Sequence, residues 1–412
     1  MKNFLVHSDE VKNEMLESIG MKSIEDLFKQ IPNNARMSTL NLKDAISEME
    51  TQKRVKNLAK KNKTDYISFL GAGTYNKFIP ACISQVASRF EFLTAYTPYQ
   101  PEISQGTLQI MYEFQTMMCR LTGMDISNAT MYDGATACAE AILMAVRISK
   151  KNKVLVSKNL NPEYIDVIKT YCWANNIELE MFDSMPENTV DYACVLVQNP
   201  DFYGEINRFQ KPECLFIVCV DVSTLGILKP PVDADIVVGD IQALGIPMSF
   251  GGPHAGFIAC REKFMRQLPG RLAGRTVDAD GKPAYCLTIQ TREQHIKREK
   301  ATSNICSNQA LMGLWATLYL TVMGEDGFRQ AGYLSTKRAH QLSEMLATKG
   351  IKTLNNNFFN EFVIEVKDAN EFLAKLKSNS IIGGLKLNDK QILVATTEMI
   401  SEEDIDLYVN SL

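Results

Sequence analysis

Apolar and polar positions change period along this 412-residue chain, and the changes divide it into segments. Residues 1–50 read as short amphipathic helices: in SDEVKNEMLESIG, Ser8 is placed to cap a helix and Gly20 to stop it. A basic helix follows from Lys53 to Lys63, which reads as a solvated face. Residues 65–130 mix loops with one helix around TLQIMYEFQTMMCRLTG, where apolar side chains recur at about 3.6 residues and Gly123 ends the run. From about residue 130 helix and strand alternate. DGATACAEAILMAVRISKK and NPEYIDVIKTYCWANN predict helices, and KVLVSK, ACVLVQNP, CLFIVCVD, DIVVGD and GGPHAGFIAC predict strands. The continuous apolar runs suit strands covered on both faces. A long helical region spans roughly 305–349, and the tail reads strand (FVIEV), helix (NEFLAKLKSN), strand (QILVATT), helix (SEEDIDLYVNSL).

This alternation predicts an α/β layer with a mostly parallel sheet. The expected organisation is a helical N-terminal arm (1–65), a large α/β domain (66–335) and a small α+β C-terminal domain (336–412). Lys plus Arg is 44 against 48 Asp plus Glu, a net charge of −4, which argues against a nucleic-acid partner. No stretch reaches the apolar length of a membrane span, so no membrane association is expected. The ten cysteines form no C-x-x-C pair, and the start lacks an apolar signal core. A cytoplasmic protein with reduced thiols is expected.

Candidate chemistry is sparse. Gly71-Ala72-Gly73 lacks the third glycine and the strand–helix frame of a dinucleotide site. The four histidines, His7, His254, His295 and His340, show neither metal-ligand pairing nor a catalytic triad. Two features are more informative. Tyr132-Asp133-Gly134-Ala135-Thr136-Ala137 is a small-residue turn opening a helix, where backbone N–H groups can hold a phosphate; an unliganded turn is the competing reading. Asp221 ends the CLFIVCVD strand, and acids at that end of an open α/β sheet lie where ligands bind. In a pyridoxal phosphate (PLP) enzyme such an acid holds the ring nitrogen protonated. The lysine such an enzyme needs is missing from DADIVVGDIQALGIPMSFGGPHAGF, and nearby Lys229 is followed by Pro230 and Pro231.

Five long segments carry a family resemblance: FLGAGTYNKFIP (69–80), LTAYTPYQPEISQGTLQ (93–109), YDGATACAEA (132–141), GIPMSFGGPHAGFIA (245–259) and LTIQTREQHIKREKATSNICSNQAL (287–311). Through them the chain resembles the subunit 1 (alpha) branch of the two-chain glycine decarboxylases, the P-proteins of the glycine cleavage system. The resemblance implies PLP-dependent transferase fold type I, the aspartate-aminotransferase-like fold. It also implies that subunit 2 (beta) carries the PLP lysine, and Gln242 falls at the lysine position of this chain. An amide nitrogen is not a nucleophilic amine, so no PLP would be covalently bound here. Asp133, Gly134, Asp221, Gln242 and His254 would be vestigial cofactor-site positions, and the Asp133 carboxylate would repel a phosphate. The family often carries histidine where this chain has Lys77.

The implied reaction is decarboxylation of glycine, with transfer of the aminomethyl group to the lipoyl arm of H-protein. The implied assembly pairs this chain with subunit 2, as α2β2. Candidates to complete the partner's active site are Tyr96 and Tyr99 in a Pro-flanked loop, and Thr302, Ser303 and Asn304 before the long helix; helix capping is the competing reading of the last two. Arg266, Arg271, Arg275, Arg292, Lys297, Arg298 and Lys300 would meet an acidic carrier protein, or form a solvated or internally paired set. Two other readings stand beside this one: an independent PLP enzyme using another lysine, and a PLP-fold pseudoenzyme acting as a structural or regulatory partner.

Overall fold

The computed structural model describes residues 7–37, 41–302 and 305–412. By compactness the chain forms two units, 1–64 and 65–412. In the first, helices Asp9–Ser18 and Glu48–Ala59 are capped by Ser8 and Ser47, and Leu16 is the one buried side chain among the described residues.

The second unit is built on seven strands: β1 (Ile126–Ser127), β2 (Lys153–Ser157), β3 (Glu178–Phe182), β4 (Cys194–Gln198), β5 (Leu215–Asp221), β6 (Ile236–Asp240) and β7 (Gly256–Cys260). Their order is β1-β7-β6-β5-β4-β2-β3. Strands β2 to β6 pair in parallel, while β7 runs antiparallel to β6 and β1 antiparallel to β7. The expected mostly parallel sheet is therefore present. Edge strand β3 and the hairpin Ala273–Val277/Pro283–Leu287 went unforeseen in the sequence pattern.

Alternation along each strand explains why the apolar runs are continuous. Val154, Val156, Cys194, Leu196, Ile217, Cys219, Ile236 and Val238 face one layer, with helices α1 (Gly134–Ser149) and α2 (Pro162–Ala174). Leu155, Val195, Val197, Phe216, Val218, Val220 and Val237 face the other, with helix Gln105–Thr122 and the first half of the long helix Asn308–Thr348. Each such buried aliphatic side chain contributes about 1.5–3 kcal/mol relative to exposure. Gly123 closes helix Gln105–Thr122 at φ +70°, and Gly324 breaks the long helix at φ 61°.

A four-stranded antiparallel sheet follows, ordered Lys352–Thr353, Glu361–Glu365, Gln391–Ala395, Leu385–Asn388. Helices Ala369–Ser378 and Glu402–Asn410 join it in a core that contains Phe69, Phe362, Leu376, Ile392 and Tyr408. Strand Ile67–Ser68 pairs in parallel with Ile381–Ile382, which brings the following loop, 69–80, back onto the large sheet.

Candidate active site

The parallel strands end in a cleft, where a doubly wound sheet places its ligands. Gln198, Asp221 and Asp240 reach it from the C-terminal ends of β4, β5 and β6, and Asn161 and Tyr164 from the start of α2. The loop carrying Gly73 and Tyr75 forms another wall. The inner part of the cleft measures ≈40 Å³. An outer part of ≈460 Å³ shares Gly73, Asn161, Tyr164 and Asp240 with it.

Gln242 belongs to the wall rather than to the cavity. It is 2% exposed, and its amide is fully engaged. Its Oε1 accepts from the Tyr75 backbone N–H at 3.0 Å, and its Nε2 donates to the carbonyls of Tyr75 (3.1 Å) and Ile246 (2.8 Å). From the other side Glu361 accepts from the Ala72 N–H at 2.6 Å and from the Tyr75 hydroxyl at 2.8 Å. The backbone approaches so closely that a Cβ on Gly71 would lie 2.6 Å from Glu361 Oε1 and from the Ala395 Cβ. Burial raises the Glu361 carboxyl to about 7. The same loop continues into Lys77, whose ammonium is buried against Glu398 (3.2 Å) and the Ser335 hydroxyl (3.2 Å). Gln242 and Glu361 thus clamp the glycine loop against the sheet.

The N-terminus of α1 is occupied as well. Asp133 caps it, with Oδ1 accepting from the Thr136 N–H at 2.7 Å. The free Gly134 N–H donates to Asp240 Oδ2 at 3.1 Å. The same Asp240 oxygen lies 3.2 Å from His254 Nδ1, and this hydrogen bond raises the imidazole above its ordinary value. Asp221 differs. Its Oδ1 accepts from the Ser223 N–H at 2.9 Å, but its buried Oδ2 has no hydrogen-bond partner among the described residues. Burial raises this carboxyl, against the opposing field of Lys77.

Asp221 alone would suit PLP by type and place, since it is an acid at a strand end lining the cleft and could accept from a ring N–H. The other positions do not fit. Gln242 offers no amine, and its amide is consumed. Two carboxylates hold the helix N-terminus where a phosphate would sit, and like charges repel there.

The remaining candidate residues lie elsewhere. Tyr96 is 82% exposed, and Tyr99 is half-exposed. The Tyr99 hydroxyl donates to Glu293 at 3.4 Å, and its ring meets His295 edge-on. Tyr96 borders a separate pocket of ≈280 Å³ with Phe92, Met111, Cys306, Ser307 and Leu311. The Thr302 carbonyl accepts from the Gly270 N–H, while Ser303 and Asn304 lie outside the described residues. Of the basic set, Arg271 and Arg292 are not surface groups. Arg292 is 8% exposed and donates to the Gly270 carbonyl, and Arg271 donates to the Ile305 carbonyl. Lys229 is exposed and does not line the cleft. Sequence reasoning missed Tyr75, Asp240 and Glu361. Asp240 carried the same signal as Asp221, an acid closing an apolar run; Glu361 sits at the start of FVIEV with nothing to mark its burial.

Comparison with known proteins gives a consistent picture. The family model described as glycine cleavage system P-protein matches residues 2–412. A probable glycine dehydrogenase (decarboxylating) subunit 1 of Geobacillus thermodenitrificans is 44% identical, over 100% of this chain and 99% of that protein. The protein of the same name from Carboxydothermus hydrogenoformans is 44% identical over 98% of each. The crystal structure of a glycine decarboxylase (P-protein) of the glycine cleavage system, in inhibitor-bound form, superposes with a TM-score of 0.91 at 38% identity, covering all of both chains. More distant structures share the fold alone. They include Lactobacillus brevis glutamate decarboxylase (TM-score 0.66, 10% identity) and a C-DES mutant with glycine covalently linked to its PLP cofactor (TM-score 0.59, 12% identity). The fold is PLP-dependent transferase fold type I.

Proposed function

The chain belongs to the glycine cleavage system P-protein family, and on that basis we propose that it is the subunit of glycine decarboxylase that carries no PLP of its own. The observation that carries this reading is Gln242, an amide with its oxygen and both N–H groups engaged, at the position that the family resemblance sets against the lysine. In this reading a second subunit holds PLP, which supplies an electron sink for the loss of CO2 from glycine. The Asp133 and Asp240 carboxylates at the helix N-terminus support the same division of labour.

The role of this chain is to complete the partner's site and cover it. Exposed apolar side chains cluster in sequence between Phe78 and Ile103: Phe78 (49%), Phe90 (80%), Leu93 (52%), Tyr96 (82%) and Ile103 (79%). Such a concentration supports an interface with another subunit. Tyr96 is the foremost candidate to reach the partner's bound glycine or PLP, since its hydroxyl has no partner within the described residues, whereas Tyr99 is tied to Glu293. Thr302, Ser303 and Asn304 remain candidates for the same role. We propose an α2β2 assembly, and lipoylated H-protein as the acceptor of the aminomethyl group. Arg266, Arg275, Lys297, Arg298 and Lys300 are exposed and pair with no carboxylate among the described residues, which supports them as its docking charges. We propose a cytoplasmic location. The ten cysteines are all free, in keeping with a reducing compartment. Among the described residues no helix is long and apolar enough to cross a membrane.

The test is reconstitution of glycine–CO2 exchange from this chain, the second subunit and H-protein. Exchange should require both subunits and fall with Tyr96→Phe. Full exchange by the second subunit alone would overturn the reading.

A further inference from the structure

We infer that the loop 248–252 is a docking element for the second subunit, with the Phe250 ring as its anchor. This placement rests on the heteromeric assembly proposed above and deepens it. Phe250 is fully exposed (102%), more than any other large apolar residue among the described ones, and Met248 beside it is 39% exposed. Ser249 and Phe250 both take positive φ, 42° and 58°, a region that residues with a Cβ enter at a cost. The turn is closed by the Gly251 and Gly252 N–H groups, which both donate to the Met248 carbonyl, at 3.0 and 3.1 Å. In the isolated chain the loop thus combines an unfavourable backbone with an aromatic ring held in water. Burial of that ring against a partner offsets both.

The position of the loop identifies the partner. Gly251, Pro253 and His254 line the outer cleft together with Tyr132 and Gln309. Gln309 Nε2 donates to the carbonyls of Tyr132 (2.9 Å) and His254 (2.7 Å), which fixes the start of the long helix to both. The Cys306 N–H donates to the Tyr132 hydroxyl at 3.2 Å, and the Ser307 hydroxyl is hydrogen-bonded to that of Thr97, next to Tyr96. Cys306 and Ser307 also border the ≈280 Å³ pocket beside Tyr96. Through the N-terminus of the long helix, the 248–252 loop therefore adjoins the exposed apolar run between Phe78 and Ile103. A standard interface of about 800 Å² per partner is wide enough to take in both. Relatives of this chain are named subunit 1, which implies a second subunit to occupy that face. The surface that fits Phe250 is an apolar socket for one aromatic ring, rimmed by polar groups.

The test uses the full chain and the second subunit. With p-benzoylphenylalanine in place of Phe250, irradiation of the mixture and mass mapping should show a cross-link to the second subunit. Phe250→Ala removes a ring that is fully exposed, so the melting temperature of this chain alone should be unchanged. Association with the second subunit, measured by sedimentation, should weaken by about thirtyfold or more, the mark of an anchor residue. A cross-link confined to this chain or to a second copy of it would overturn the inference. So would association that Tyr96→Ala weakens and Phe250→Ala does not, and in that case the heteromeric reading stands. No association between the unaltered chains would overturn both.

Discussion

Replacing Gln242 by leucine isolates the clamp on the glycine loop. Leucine approximates the volume of glutamine but can neither accept nor donate. Three buried groups lose their partner: the N–H and C=O of Tyr75 and the C=O of Ile246. A buried polar group left unpaired costs about 1–3 kcal/mol, and carbonyls with a second lone pair fall at the low end. The summed loss is therefore on the order of 4 kcal/mol, a large fraction of a typical folding free energy of about 5–15 kcal/mol. Gln242→Glu provides the graded control. At a pH that keeps it neutral it retains an acceptor for the Tyr75 N–H and one O–H donor for a carbonyl, so it should fall between leucine and the parent; ionised, it is a buried unpaired charge and should cost more than leucine. The assay is urea denaturation of the isolated chain, followed by the fluorescence of Trp173 and Trp315. A loss below about 1 kcal/mol for Gln242→Leu would refute the reasoning, because three satisfied buried groups cannot be removed so cheaply.

Four further outcomes follow from the same geometry. Glu398→Gln strands the Lys77 ammonium in a buried setting and should destabilise the chain by about 3–5 kcal/mol in urea, whereas Lys77→Met with Glu398→Leu should recover much of that loss. Burial holds Glu361 near 7, above the ordinary carboxylate value of 4.5, so its contribution to stability is present below about 4.5 and is lost as pH rises towards 7. Over that window the folded state binds the extra proton, and stability measured by denaturation should fall by on the order of 3 kcal/mol; Glu361→Gln should flatten that part of the profile. Asp240→Asn removes the partner that raises His254, so the imidazole should titrate at a lower pH by NMR. Tyr96→Ala, at a highly exposed site, should leave the denaturation midpoint of the isolated chain within about 0.5 kcal/mol while reducing exchange activity of the reconstituted complex.

The large sheet was legible because its central strands are covered on both faces and read as unbroken apolar runs. ELEMF, by contrast, is an edge strand whose glutamates point to solvent, so it offers no such run. Helix ends were legible where chemistry marks them, at Ser8, Asp133 and Gly123. The site was legible in part. Asp221 and Gln242 were picked out from their places after strands and within a motif, and the structure puts the first at the cleft and the second in its wall. Glu361 acts across 289 residues of sequence on Ala72, and no local pattern announces a contact of that span. For Arg271 and Arg292 the sequence left the choice open, because a guanidinium that ties loop carbonyls together has the same local signature as one that faces solvent.

The account rests on this chain being the subunit without PLP. The most direct measurement is borohydride reduction of the reconstituted two-subunit complex in the presence of PLP, followed by peptide mapping of both chains. The account predicts a pyridoxyl-lysine in the second subunit and none in this chain. A labelled lysine in this chain, Lys77 and Lys229 included, would contradict it.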